Sequence, residues 1–416
     1  MKTLLKSATI IDPTGKYHHQ QKDILIENGI FSKIEDTITD SNAQVIELPN
    51  LHISKGWFDS SVCFGEPGLE ECETIANGIH TTAKSGFTSI LLNPKAKPVI
   101  DNKSAITFIN ARTKESAVNV HPIGALTMKS ESIDLAELYD MASEGAVAFG
   151  DFKTPVSNPN LLKIALQYAQ NFDSLIISFA NEKKIAGKGV VNEEVVGTRL
   201  GLKGIPALAE SLQVARDLYI LEYTEGKLHI PTISTAASVD LIRTAKAKGL
   251  NVTSSVAIHN LFFSDDVLEG FDSNFKVLPP LRTLKDIDAL KEGILDGTID
   301  MVTTDHTPIV IENKKLEFDL AEYGTIGLES AFGALNTLFG IDKAIELLLK
   351  GKERFGLTTN SIDVNSTAEI TLFNPIKEYT FKESDILSSS KNSAFIGSKL
   401  LGDVYGIYNK SQLIIE

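Results

Sequence analysis

The segment Thr304-Asp305-His306-Thr307-Pro308 sets a carboxylate beside an imidazole, a pair that can ligate a metal or move a proton. Asp151 is a second candidate carboxylate, and two carboxylates brought together can divide acid and base roles. The plainer reading is that both are hydrogen-bonded and chemically idle. Cys63 could be a nucleophile if a cation or imidazole such as His306 lowered its pKa; a small buried thiol is the simpler expectation. His306 is expected to support structure more than to ligate. His229 reads as a packed strand residue, and His259-Asn260 could line a site mouth. His18-His19 read as an exposed turn, and His52, His80 and His121 belong to no constellation. The string Lys95-Ala96-Lys97-Pro98 could meet an anion, though two lysines in a loop are common. Glu182-Lys183-Lys184 and Glu193-Glu194 read as solvated charge. No GxGxxG, GxxxxGK[ST] or GxSxG pattern occurs. Two cysteines cannot build a disulfide framework or a Cys-rich zinc module.

The elements that must hold these residues alternate. Strand patterns fall at 56–62, 87–92, 118–126, 146–151, 175–179, 228–234, 251–257 and 299–304. Helical patterns lie between them, as at 70–85, 160–170, 207–223, 238–248 and 287–295. Gly86, Gly145, Gly249 and Gly297 sit just past helices, where a left-handed cap suits glycine. Eight strand–helix units predict a (β/α)8 TIM-type barrel, with a doubly wound sheet as runner-up. Barrel chemistry is carried at strand C-terminal ends, which singles out Ser61, Cys63, Asp151, Ser178, Thr232, Asp305 and His306. Both chain ends are strand-rich, with an Asn28-Gly29 hairpin signal. They are expected to meet in a small β-sandwich domain, residues 1–54 and 358–416, beside a barrel at 55–357.

With 416 residues and a formal charge of −14, the chain can bury a large core and lacks the basic face that nucleic acid requires. No apolar run is long enough for a membrane span, and Asp12-Pro13 interrupt the N-terminal apolar stretch, so a cytoplasmic location is expected.

Several segments resemble the dihydroorotase family of cyclic amidohydrolases. They run in order through nearly the whole chain. Glu66-Pro67-Gly68-Leu69-Glu70 looks like the segment after the family's first metal motif. Gly201-Leu202, residues 206–210 and Val214-Ala215-Arg216-Asp217 match a second stretch. Residues 276–282 resemble KVNPPLR, 304–308 resemble TDHAP, and Gly327-Leu328-Glu329 follows. The resemblance implies an amidohydrolase barrel using divalent metal. It also implies that the ligand set is degenerate here. Ser61 and Cys63 stand for the first two histidines, Ser178 and Thr232 for two more, and only Asp151 and Asp305 keep acidic ligand positions. Asp305 would be a vestigial general base. The substrate-carboxylate contacts are altered likewise: Gly65 replaces an arginine, Lys95 and Leu278 replace asparagines, and Ile309 replaces a histidine.

The leading expectation is therefore a dihydroorotase-like protein of pyrimidine biosynthesis that lacks dihydroorotase activity and needs no metal. By resemblance it would be a structural or regulatory partner of aspartate transcarbamoylase, or of an active dihydroorotase, and a homodimer. One alternative is an active hydrolase of a cyclic amide, with zinc on Cys63, Asp151, Asp305 and His306. Another is a metabolite-binding sensor with Lys95 as an anion contact.

Overall fold

A computed structural model of the protein describes residues 2–415. The middle of the chain forms eight parallel strands: Trp57–Val62, Phe87–Leu92, Asn119–Gly124, Ala148–Gly150, Leu175–Ile177, Leu228–Ile230, Val252–Ala257 and Met301–Thr303. They neighbour one another in chain order, as in a barrel. The seam between the first and eighth strands is closed by two backbone hydrogen bonds, Cys63 N to His306 O at 2.8 Å and His306 N to Ser61 O at 3.1 Å. Asp59 stitches the same seam from within. Its carboxylate accepts from the hydroxyls of Thr303 and Thr304 and from the Thr304 amide at 3.0 Å. Burial raises the Asp59 pKa to about 6 against those donors.

Inside the barrel floor, Phe58, Leu91, Ile123, Ala148, Leu175 and Met301 pack together, with Phe355 closing the end. The larger core lies between strands and helices, as the layered architecture demands. The helices start where short polar side chains can take an orphan amide: Thr74, Asn102, Thr235 and Thr283 each cap one. Gly86, Gly145, Gly249 and Gly297 all take positive φ.

The two chain ends form one continuous eight-stranded sheet. Gln412–Ile415, Lys399–Asn409, Ile370–Thr380, His52–Lys55, Lys2–Ile10, Gln21–Glu27 and Ile30–Glu35 pair in that order, and Gln44–Ile46 adds to Lys2–Ile10. Asn28 and Gly29 both have positive φ (52° and 81°), the backbone a two-residue hairpin needs. Sheet and barrel are joined by Trp57, whose ring meets Phe332 and Phe373 at 5.0 and 5.6 Å. A buried ion pair, Lys352 Nζ to Glu369 Oε1 at 2.8 Å, crosses the same junction. This rigid base fixes the strand C-terminal ends that form the mouth.

Candidate active site

At the end of the eighth strand Asp305 has φ +51°, a left-handed conformation that turns its buried side chain out of the ladder. Ser61, at the end of the first strand, donates its hydroxyl to Asp305 Oδ1 at 3.1 Å. Asn93, just past the second strand, donates to Ser61 Oγ at 3.0 Å. Lys153, three residues past the fourth strand, reaches Asp305 Oδ2 with its ammonium at 2.6 Å. The same ammonium donates to the Leu278 carbonyl and lies 5.5 and 5.4 Å from the Phe152 and Phe179 ring centres. Lys153 itself holds φ +54°. Burial raises the Asp305 pKa, and Lys153 is the main influence pulling it back.

Lys153 and Asn93 carry no motif signal, yet they complete the cluster. One cue was available for Lys153: it stands two positions from Asp151 just past a barrel strand, where any polar side chain is a candidate.

Most of the other motif-derived positions turn to neighbouring side chains and amides. Asp151 Oδ1 accepts the amides of Leu126 and Thr127, each at 3.0 Å, and the Thr127 hydroxyl donates to Oδ2. Burial raises its pKa against these donors. Ser178 donates to Asp217 Oδ2 at 2.7 Å, and Arg216 holds the other oxygen of Asp217. Thr232 is buried with φ +48°, and its hydroxyl finds no partner among the described residues. Burial pushes the Cys63 thiol up to about 12, the reverse of nucleophile activation. Asp151 and Asp305 each have their own hydrogen-bond set, and no bond joins them.

The buried histidines His229, His259 and His306 are neutral packing elements. His306 accepts the Gly327 and Leu328 amides on Nδ1 at 3.3 and 3.4 Å, and burial lowers its pKa to about 4. His229 meets Thr253 and Ser255 hydroxyls at 3.0 and 3.3 Å. His259 is buried with neither nitrogen partnered among the described residues, and its pKa falls to about 3.

The four positions expected to read a substrate carboxylate differ in kind. Gly65 has φ +113°, and a Cβ there would lie 2.6 Å from the Leu69 carbonyl oxygen, so no arginine fits this backbone. Ile309 is buried, and its amide donates to Asn392 Oδ1 at 3.1 Å. Leu278 contributes its carbonyl to Lys153. Lys95 lines a cavity of about 610 Å³ at the mouth, together with Lys153, Lys188, Lys276, Leu278 and Asp305. Beneath it, a void of about 30 Å³ between Ser61, Asn93, Asp151, Lys153, Thr232 and Asp305 has room for one water molecule.

This donor set does not fit zinc. The metal requires several free imidazoles, thiolates or carboxylates converging on one point. Here the Ser61 hydroxyl is committed to Asp305, both Asp151 oxygens are taken, and Asp305 Oδ2 bears the Lys153 ammonium. A cation already stands on the carboxylate that a metal would use, so no step through a metal follows. Among the described residues, the side chains close enough together to hold an ion are His18, His19 and Asp342 on the surface.

The dihydro-orotase-like family model matches residues 52–238. The dihydroorotase of Pelotomaculum thermopropionicum is 39% identical over 410 residues, covering 97% of this chain and 96% of that protein. That of Caldanaerobacter subterraneus subsp. tengcongensis is 36% identical over 411 residues, covering 97% and 95%. Among solved structures, the L-hydantoinase (dihydropyrimidinase) of Arthrobacter aurescens superposes with a TM-score of 0.84 at 20% identity, covering 100% of this chain and 96% of that one, which shows the shared barrel fold. With matched relatives spanning its full architecture, this chain belongs to the dihydroorotase family.

Proposed function

We propose that this chain is a dihydroorotase-fold protein that does not hydrolyse dihydroorotate, and that it serves pyrimidine biosynthesis as a structural or regulatory partner of aspartate transcarbamoylase or of an active dihydroorotase. The observation that carries the reading is the Lys153–Asp305 ion pair. An ammonium on the carboxylate at the general-base position stabilises its charged form and so weakens it as an acceptor of a proton from water. The replacements at 61, 63, 178 and 232 remove the donors that would hold zinc. A barrel kept well packed around such a site is what selection on its surface would retain. The partner is inferred from family resemblance.

Elemental analysis of protein purified without chelator or added zinc, with a dihydroorotase assay on the same sample, tests this. Less than a tenth of an equivalent of metal, no turnover and no change in melting temperature with chelator are expected. Near-stoichiometric zinc with turnover would overturn the proposal and favour the active-hydrolase reading, which the names of the relatives support. Co-purification of either pyrimidine enzyme from the native cell tests the partner.

The mouth cavity favours a second reading, a metabolite sensor. Lys95 and Lys188 both line it, and neither bonds to a carboxylate among the described residues. A rise in melting temperature with carbamoyl aspartate or dihydroorotate, abolished in Lys95→Met, would select this reading.

A further inference from the structure

A cavity of about 620 Å³ lies where the helices Ile75–Lys84 and Ala331–Phe339 meet the strands Ile370–Thr380 and Lys399–Asn409. It shares no lining residue with the cavity at the barrel mouth. Ser85, the residue that ends the first of these helices, lines it and is 4% exposed, and its hydroxyl has no partner among the described residues. Glu329, on the same wall, gives one carboxylate oxygen to the Ser388 amide and hydroxyl, at 3.0 and 2.6 Å. Its other oxygen is buried and unpartnered among the described residues. A buried acceptor without a donor destabilises the fold, so two of them beside one cavity mark a place where a donor is missing. Rotation about χ1 of Ser85 and about the soft terminal torsion of Glu329 turns either oxygen toward the cavity.

Tyr379 stands beside them. A Cβ at Gly333 would lie 2.9 Å from its hydroxyl, so the glycine is what lets the phenol sit against this helix. Burial, and then the nearby Asp403 and Asp385 carboxylates, raise the Tyr379 pKa and keep it a neutral hydroxyl. We propose that this cavity binds a free amino acid, with the ammonium on Glu329, Ser85 and Tyr379 and the carboxylate on Lys84.

The count of donors fits. An ammonium carries three N–H donors, and three side-chain oxygens stand on this wall. Lys84, in the last turn of its helix, pairs with no carboxylate among the described residues and supplies the anion contact. The charges fit as well. Lys377 pairs with Asp403 at 2.5 Å, and Asp385 accepts the Lys382 amide at 2.8 Å. Lys84, Lys377 and Lys382 therefore balance Glu329, Asp385 and Asp403 around the cavity. A ligand with a net charge would leave one charge uncompensated, and a zwitterion does not. Leu387 and Val404 complete the lining and offer apolar surface to an uncharged side chain. The inference is independent of whether the barrel mouth turns over substrate.

Calorimetric titration of the full chain with the common L-amino acids, tested singly, tests it. Saturable binding with a Kd below about 1 mM is expected for amino acids with uncharged side chains. N-acetylation removes the ammonium and amidation removes the carboxylate; each should weaken binding at least about tenfold. Glu329→Gln and Lys84→Met should do the same with circular dichroism unchanged. Lys84 makes no ion pair among the described residues, so Lys84→Met reads the site even where Glu329→Gln disturbs folding. Absence of binding by every amino acid up to about 10 mM would mean that the cavity holds water only and would overturn the proposal. Binding that survives Lys84→Met, or that is lost in Lys188→Met at the mouth, overturns it equally.

Discussion

Replacing Lys153 by methionine keeps the aliphatic stem and deletes the charge on Asp305. The Asp305 side chain is 5% exposed and that of Lys153 is 18% exposed, so water cannot take over the lost contact without entering the barrel mouth. Removing one partner of a buried pair costs roughly 3–5 kcal/mol; slight exposure of the lysine head trims the expectation to about 2–4 kcal/mol. In the variant, Asp305 keeps the Ser61 hydroxyl at 3.1 Å. Asp305→Asn alone should cost about 1–3 kcal/mol, because Lys153 keeps the Leu278 carbonyl and two ring faces. The double variant leaves neither charge stranded, so its cost should fall short of the sum by about 2 kcal/mol. The pH dependence has a definite sign. Burial already raises the Asp305 pKa, and Lys153 opposes that shift, so Lys153→Met raises it further. A carboxylate whose folded pKa is raised binds its proton more readily folded than unfolded. The penalty is therefore full above the folded pKa and fades as pH falls toward the ordinary value of 3.8. Urea unfolding of the four proteins at neutral and mildly acidic pH reads both quantities. A coupling below about 0.5 kcal/mol, or a Lys153→Met cost that does not shrink on acidification, would refute the argument that this lysine neutralises Asp305.

Two further outcomes follow from burial and charge. Cys63, buried and pushed up to about 12, should resist iodoacetamide at neutral pH in the native protein, while the half-buried Cys72 should react faster; peptide mass spectrometry on timed samples separates them. Lys352→Met strands Glu369 at the junction of barrel and sheet, leaving its carboxylate the Thr88 hydroxyl and the Asn360 amide among the described residues; a loss of about 3–5 kcal/mol is expected, with faster hydrogen exchange in His52–Lys55 and Ile370–Thr380.

The barrel was legible because its signals are local. The run 87–92 becomes a strand with those limits, since every residue in it is buried and the glycine before it ends the preceding helix. Other strand patterns overshoot. The run 228–234 is a ladder only over Leu228–Ile230, because beyond it the chain leaves the sheet and Thr232 turns to positive φ at the mouth. The helix expected at 70–85 begins at Ile75, because Thr74 caps it and Glu73 upstream accepts from Thr74, Asn77 and Ser389. The last of these partners lies more than 300 residues away, beyond any local pattern.

The same limit explains why the mouth was half legible. Comparing residue types with the family resemblance leads to the expectation of a degenerate ligand set, since Ser61, Ser178 and Thr232 stand where the resemblance implies imidazoles. It does not reveal what took their place. A lone lysine after a strand reads as solvated charge, and its pairing with Asp305 spans 152 positions. Yet the two changes belong together physically. A buried carboxylate deprived of a metal's positive charge must neutralise, find water or find a cation, and each unpaired alternative destabilises the folded state. Lys153 supplies that cation from the chain itself, at the position where its ammonium also meets a carbonyl and two aromatic faces. The left-handed backbone at Lys153 is the conformation in which it does so. A histidine introduced at 61, 178 or 232 alone is therefore not expected to bring a metal to Asp305, because Lys153 still holds its Oδ2.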